Sequence, residues 1–206
     1  TKTGEEPMVS VRTDARATRR HYFRRRLRKI ELLKVLVAND FCPKISEEAL
    51  YEWRRYKRYP MDEEFMAWLR TNESCNPYFD RYRALTQVLD LNIVAHRYSL
   101  GRALYHLAQR RGFLSNRKDS LSDEDGKVVG SIKRLDEDMR VANCTYLGEF
   151  YYKLYLSGMK IRTGDGYGYA DRVAHYEKEF NAICDKQQLS DDLREALHRA
   201  IFLQRP

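Results

Sequence analysis

The sequence predicts an all-α protein in which a long arginine-rich helix precedes an irregular helical domain. Two observations carry that expectation. Residues 11–37 run without a single glycine or proline and are rich in helix-forming residues. Beyond them, apolar residues recur at helical spacing in one short segment after another, with few strand-like alternations and no internal repeat.

In chain order, residues 1–10 read as a tail containing Gly4 and Pro7. The first helix carries an apolar stripe of Leu27, Ile30, Leu33 and Val37, and Asn39, Asp40 and Pro43 end it. Ser46 is a predicted N-cap, with Glu47 and Glu48 at the positive end of the next helix. That helix shows Leu50, Trp53 and Lys57 on one face and closes at Pro60. Asp62 is expected to cap another, with Met61 and Met66 placed for a hydrophobic staple. Asn76-Pro77 marks a turn, and a helix is expected over residues 80–95 with Leu85, Val88, Leu89 and Asn92 on one side.

Ser99 is the predicted cap of a helix whose apolar face is Leu100, Ala103, Leu104, Leu107 and Ala108, with Gly112 as its C-cap. Residues 115–130 read as a polar loop, 131–156 as one helix and 158–168 as a glycine-rich loop. Two further helices are expected over 170–187 (Val173, Tyr176, Phe180, Ile183) and 190–203 (Leu193, Leu197, Ile201, capped by Ser190).

The net charge of +8 comes from 38 basic and 30 acidic residues, and it has an address. Residues 11–34 hold ten basic residues and two acids, Asp14 and Glu31, which leaves 28 of each sign elsewhere. A basic segment attached to a neutral body points to a polyanionic partner. Cys42, Cys75, Cys144 and Cys184 form no C-x-x-C, which fits free thiols in a reducing compartment, and the five histidines complete no metal-ligand spacing. No run of 18 apolar residues is present, so no membrane is expected as a partner. His106 and Asp138 are isolated, and no catalytic site is assigned. The two ends of the sequence read as internal to a longer chain.

Arg12, Arg16, Arg20, Arg24 and Arg28 are spaced by four. On a helix each step rises ~6 Å and advances ~40°, so the five sweep about 160° over about 24 Å. Arg19 and Arg26 are expected to thicken this row. Like charges at i,i+4 cost an isolated helix about 0.2–0.5 kcal/mol per pair, and a helix serving only solubility would interleave glutamates. A bound polyanion removes the repulsion, and guanidinium groups suit bidentate phosphate contact. The arginine-dense half has no broad apolar face, which argues against a membrane surface.

A second cluster, Arg110, Arg111, Gly112, Phe113, Asn116 and Arg117, follows the helix begun near Ser99. Arginines there favour a helix C-terminus in any protein; they can equally meet a phosphate. Tyr167 and Tyr169 with Arg162 and Arg172 form a weaker third candidate.

Several segments resemble the type II CRISPR effector nucleases, particularly the II-C branch. ARATRRHYFRRRLRKIELLKVL (15–36) resembles the family's bridge helix, and LGRALYHLAQRRGFLSNRK (100–118) its recognition lobe. NPYFDRYRAL (76–85), YADRVAHYEKEF (169–180) and IFLQRP (201–206) resemble the same branch, in the same order. The resemblance implies a tail and bridge helix over 1–39 and a helical recognition-lobe domain over 40–206. It implies a guide-RNA-binding scaffold of an RNA-guided DNA endonuclease in bacterial antiviral defence, acting in the cytoplasm. The guide-binding residues carried over are Arg16, Arg19, Arg20, Arg24, Arg26 and Arg28, with Arg12 added from the row; Arg110, Arg111, Gly112 and Phe113 fall on the recognition-lobe motif, beside Asn116 and Arg117. Expected partners are guide RNA, the RNA–DNA heteroduplex and a phage-encoded acidic inhibitor. This stretch lacks the family's nuclease segments. No cofactor is expected in it, magnesium belonging to the parent nuclease. Tyr22 and Phe23 interrupt the row. A stand-alone basic-helix RNA-binding adaptor is the alternative.

Overall fold

The fold is all-α. The computed structural model describes residues 8–109, 123–159, 161 and 169–203, among which there is no β-strand. The helices are α1 (Met8–Ala38), α2 (Glu47–Tyr56), α3 (Glu63–Leu69), α4 (Pro77–Thr86), α5 (Val94–Gln109), α6 (Asp123–Val141), α7 (Leu147–Leu156), α8 (Lys178–Lys186) and α9 (Asp191–Phe202); one π-helical turn, Arg172–Glu177, runs directly into α8.

α4 is the hub, packing on α5, α7 and α8. Its Arg81 is fully buried and ion-paired with fully buried Glu179 of α8, Nε to Oε1 at 2.7 Å and Nη2 to Oε2 at 2.6 Å. The backbone N–H of Gly148 in α7 donates to the same carboxylate at 2.8 Å. A Cβ at Gly148 would stand 2.8 Å from Glu179 Oε1, so only glycine admits this approach. Burial disfavours the guanidinium charge, but Glu179 outweighs it and holds Arg81 above its ordinary range.

Among the described residues, α1 is anchored at its C-terminal end. Ile30, Leu32, Leu33 and Leu36 are buried, and the helix packs there on α9, α5 and α2. It ends where expected: Asp40 takes positive φ (54°), Asn39 Nδ2 donates to the Val35 carbonyl at 2.8 Å, and Phe41 N–H to Leu36 at 2.8 Å. The Phe41 carbonyl lies against α5, where a Cβ on Gly101 would come within 1.7 Å of its oxygen.

Several expectations are corrected. α1 begins at Met8 rather than residue 11, which Pro7 permits, since proline is tolerated at a helix start but not in its interior. α2 ends where Lys57 turns left-handed (φ 62°), before Pro60, so Lys57 does not share the face of Leu50 and Trp53. Asp62 precedes α3 without a side-chain cap, and Met61 is 71% exposed, so the staple is not made. Asn76-Pro77 starts α4 instead of marking a turn: Asn76 Oδ1 accepts from Tyr78 and Phe79 N–H, and Pro77 takes the position that needs no donor.

The helix expected over 80–95 stops at Thr86, and Val88 is 70% exposed. Gln187, a hundred residues away, holds that break. Its Nε2 donates to the Ala84 and Gln87 carbonyls and its Oε1 accepts from Leu89 N–H. Ser99 is not a cap but lies buried inside α5, its hydroxyl donating to Asp80 at 2.6 Å. Residues 123–130 belong to α6, and the single helix expected over 131–156 is two, broken at Asn143 (φ 52°). Val173 is exposed because the π turn rotates it off the α8 face. Ser46 and Ser190 cap α2 and α9 as predicted. Gly112 and most of the glycine-rich loop lie outside the described residues.

Candidate nucleic-acid interface

The basic row stands on an arm. Every residue from Val11 to Arg25 is exposed, and burial begins only at Arg26. From Met8 to Arg25 the arm is about 27 Å long at the rise of an α-helix. Among the described residues Arg12, Arg16, Arg20, Arg24 and Arg25 have no carboxylate within ion-pair distance; Arg19 Nε donates to the Ala15 carbonyl at 3.2 Å, lying back along the helix. An isolated helix of this charge has no apolar face to bury and gains nothing by projecting into water.

Two rows of arginine diverge from Arg12. The i+4 row (Arg12, Arg16, Arg20, Arg24, Arg28) advances ~40° per step, whereas the i+7 row (Arg12, Arg19, Arg26) drifts ~20° the other way. By the foot of the arm they point in nearly opposite directions. Arg28 enters the groove between α1 and α9, a cavity it lines with Glu31, Val35, Asp192 and Arg199. Arg26 turns inward: its Nε is buried and its guanidinium sits 5.5 Å from the Phe23 ring centroid. The structure thus separates Arg26 from the row it was expected to thicken, because a step of two residues is ~200° around a helix.

Two groups that count toward the basic window of 11–34 are not among the site residues expected from the sequence. Arg25 is exposed and lies between the two rows. Lys29 is half-buried with its ammonium 5.7 Å from the Tyr105 ring centroid, and burial, helped by the Arg25 charge, pushes its pKa below the ordinary lysine value. The run of three arginines at 24–26 was the signal available for Arg25; nothing local to the sequence places Lys29 on Tyr105.

Arg110, Arg111, Gly112, Phe113, Asn116 and Arg117 lie outside the described residues, as do Arg162 and Tyr167. Of the third candidate, Tyr169 is exposed, but Arg172 is buried, bonded to Glu177 at 2.8 Å and stacked 5.4 Å from the Phe202 ring; it is a packing residue. The described residues contain no group of three or more His, Cys, Asp or Glu side chains that could hold a metal ion, and no helix long and apolar enough to cross a membrane. The four cysteines are unpaired, and burial pushes the Cys42 and Cys184 thiols up to about 12.

The fold of this chain matches part of far longer solved chains that are bound to nucleic acid. Two crystal structures of Campylobacter jejuni Cas9 in complex with sgRNA and target DNA, carrying AGAAACA and AGAAACC PAMs, match with TM-scores of 0.66 and 0.67 at 23% and 22% identity. They cover 95% and 100% of this chain but only 25% and 26% of Cas9, so the chain spans about a quarter of the length of the structures it matches. At that identity the likeness is one of fold, and it agrees with the architecture expected from the sequence resemblance. No family model matches the chain. No curated protein matches it either.

Proposed function

We propose that this chain is the guide-RNA-gripping scaffold of an RNA-guided DNA endonuclease, residues 1–39 serving as bridge helix and 40–206 as part of the recognition lobe. The observation that carries the reading is the projecting arm, whose exposed arginines have no acidic partner among the described residues. The fold shared with Cas9 supports it. Phosphates of a strand crossing the arm replace the missing counter-charges, and the ~40° advance of the i+4 row lets successive guanidinium groups follow a strand that wraps rather than lies straight. Base pairing reads the target, and the protein holds the backbone.

In this account Arg12, Arg16, Arg19, Arg20 and Arg24 contact guide phosphates, Arg25 joins them, and Arg28 serves strands reaching the α9 groove. Arg26 supports the arm from below. Arg110, Arg111, Gly112, Phe113, Asn116 and Arg117 supply a second contact, to the repeat–anti-repeat duplex. An acidic phage-encoded inhibitor would compete for the same arm. Cleavage and its magnesium ions belong to other segments of the parent protein.

The test is fluorescence anisotropy of labelled guide RNA with the chain and with R16A/R20A/R24A. Three lost phosphate contacts weaken single-strand binding about a hundredfold at 0.1 M salt if counterion release is their only contribution. Undiminished binding by the triple variant contradicts the proposal.

A further inference from the structure

α2 ends in a second patch that the arm does not explain. Its acids, Glu47 and Glu48, lie in the first turn and Arg54 and Arg55 in the last, an order that the helix dipole alone favours. The dipole does not account for the tyrosines beside them. Tyr51 and Tyr56 are 58% and 59% exposed, with ring centroids 6.4 Å apart and planes at 82°. Arg58 lies over the Tyr56 ring at 5.7 Å, and its carboxylate partner among the described residues, Glu52 at 3.4 Å, forms a solvent-exposed pair. Arg54, Arg55 and Lys57 are exposed and have no carboxylate within 4 Å among the described residues.

The underside of the patch is a continuous run of aromatic contacts. Trp53 is buried and packs edge-on against Tyr59 at 4.8 Å, and the ring contacts continue through Phe65 and Trp68 to Tyr105, on which Lys29 sits at the foot of the arm. The protein therefore packs its other aromatic rings in this region, Tyr59 half-buried and the rest buried, and leaves two in water, among four cations. Cations with exposed aromatic planes are what an unpaired nucleic-acid strand requires, phosphates on one and bases on the other. A duplex or an acidic protein would use the cations and leave the rings idle, since duplex bases are already stacked.

We propose that the α2 patch, Tyr51, Arg54, Arg55, Tyr56, Lys57 and Arg58, is a platform for an unpaired RNA segment, with a base stacked on one or both tyrosines. This rests on the reading that the chain holds RNA, but it assigns a separate site.

Anisotropy of the full chain with a labelled 12-nucleotide oligouridine and with a blunt RNA duplex separates the two. Y51A/Y56A keeps every charge; both rings are exposed, so its melting temperature should stay that of the parent chain. The expected result is a loss of at least fivefold for oligouridine, one modest stack, and none for duplex. R54A/R55A should weaken both probes. A 5-iodouridine probe should crosslink to Tyr51 or Tyr56. An unchanged oligouridine affinity for Y51A/Y56A, an equal loss on duplex, or a tyrosine-dependent affinity for polyglutamate instead of RNA would overturn the platform. Failure of R16A/R20A/R24A to lose RNA would instead overturn the arm and leave this result standing.

Discussion

Glu179→Gln should be among the most damaging conservative changes in the chain. The substitution keeps the side-chain shape but removes the charge that answers a fully buried Arg81. It also leaves the Gly148 N–H and both guanidinium donors facing a group with one acceptor where there were two. Breaking one partner of a buried pair costs about 3–5 kcal/mol, because the surviving charge is left uncompensated. The three helices joined at this point, α4, α7 and α8, are the centre of the fold, so no local unfolding relieves the strain. For a domain of this size each kcal/mol moves the melting temperature by about 2–4 °C, and the expected fall is roughly 6–20 °C. Urea unfolding followed by far-ultraviolet circular dichroism measures the loss directly. The double replacement Arg81→Met with Glu179→Leu removes both charges and should recover part of it, the Gly148 N–H then lacking its acceptor. A loss below ~1 kcal/mol for Glu179→Gln, or a double variant as unstable as the single one, would refute the reasoning.

Other substitutions separate folding from binding. Gly101→Ala should destabilise the fold by about 1–3 kcal/mol or more in the same urea titration, because its Cβ would meet the Phe41 carbonyl oxygen at 1.7 Å. Gln187→Leu should cost about 1–3 kcal/mol, as it strands the polar groups at the α4 end. Lys29→Met should stabilise the chain at neutral pH. The folded-state pKa of Lys29 lies below its ordinary 10.5, so the folded state bears a cost at low pH that fades as pH rises from the lowered value toward 10.5. The advantage of Lys29→Met should shrink over that window, and a pH series of melting temperatures checks it.

The sequence made the arm and the class legible because both rest on local periodicity. The glycine- and proline-free run marks α1, and a spacing of four marks its charge. Ser46 and Ser190 were readable as caps for the same reason, since a cap bonds within three residues. The errors arose where distant residues decide. Ser99 has the chemistry of a cap, yet it is buried in α5 because Asp80 needs a donor. The end of α4 is set by Gln187, and no pattern near Thr86 announces it. Arg172 looked like a loop cation until Glu177 and Phe202 closed around it. Arg26 leaves the row for a simpler reason, that two residues from Arg24 or Arg28 is ~200° around a helix. The tyrosines of α2 escaped notice because exposure is invisible in a sequence that also buries Trp53.

The central claim is that the arm of α1 holds RNA by its phosphates, and a salt titration of affinity beside circular dichroism on the same samples tests it most directly. Six exposed arginines, Arg12, Arg16, Arg19, Arg20, Arg24 and Arg25, each neutralising one phosphate of a single strand, give a slope of log K against log salt near −4. R16A/R20A/R24A should flatten that slope by about 2 while helicity holds or rises, since alanine is the better helix former and the i,i+4 repulsion is relieved. An unchanged slope with intact helicity would place the phosphates elsewhere and contradict the account.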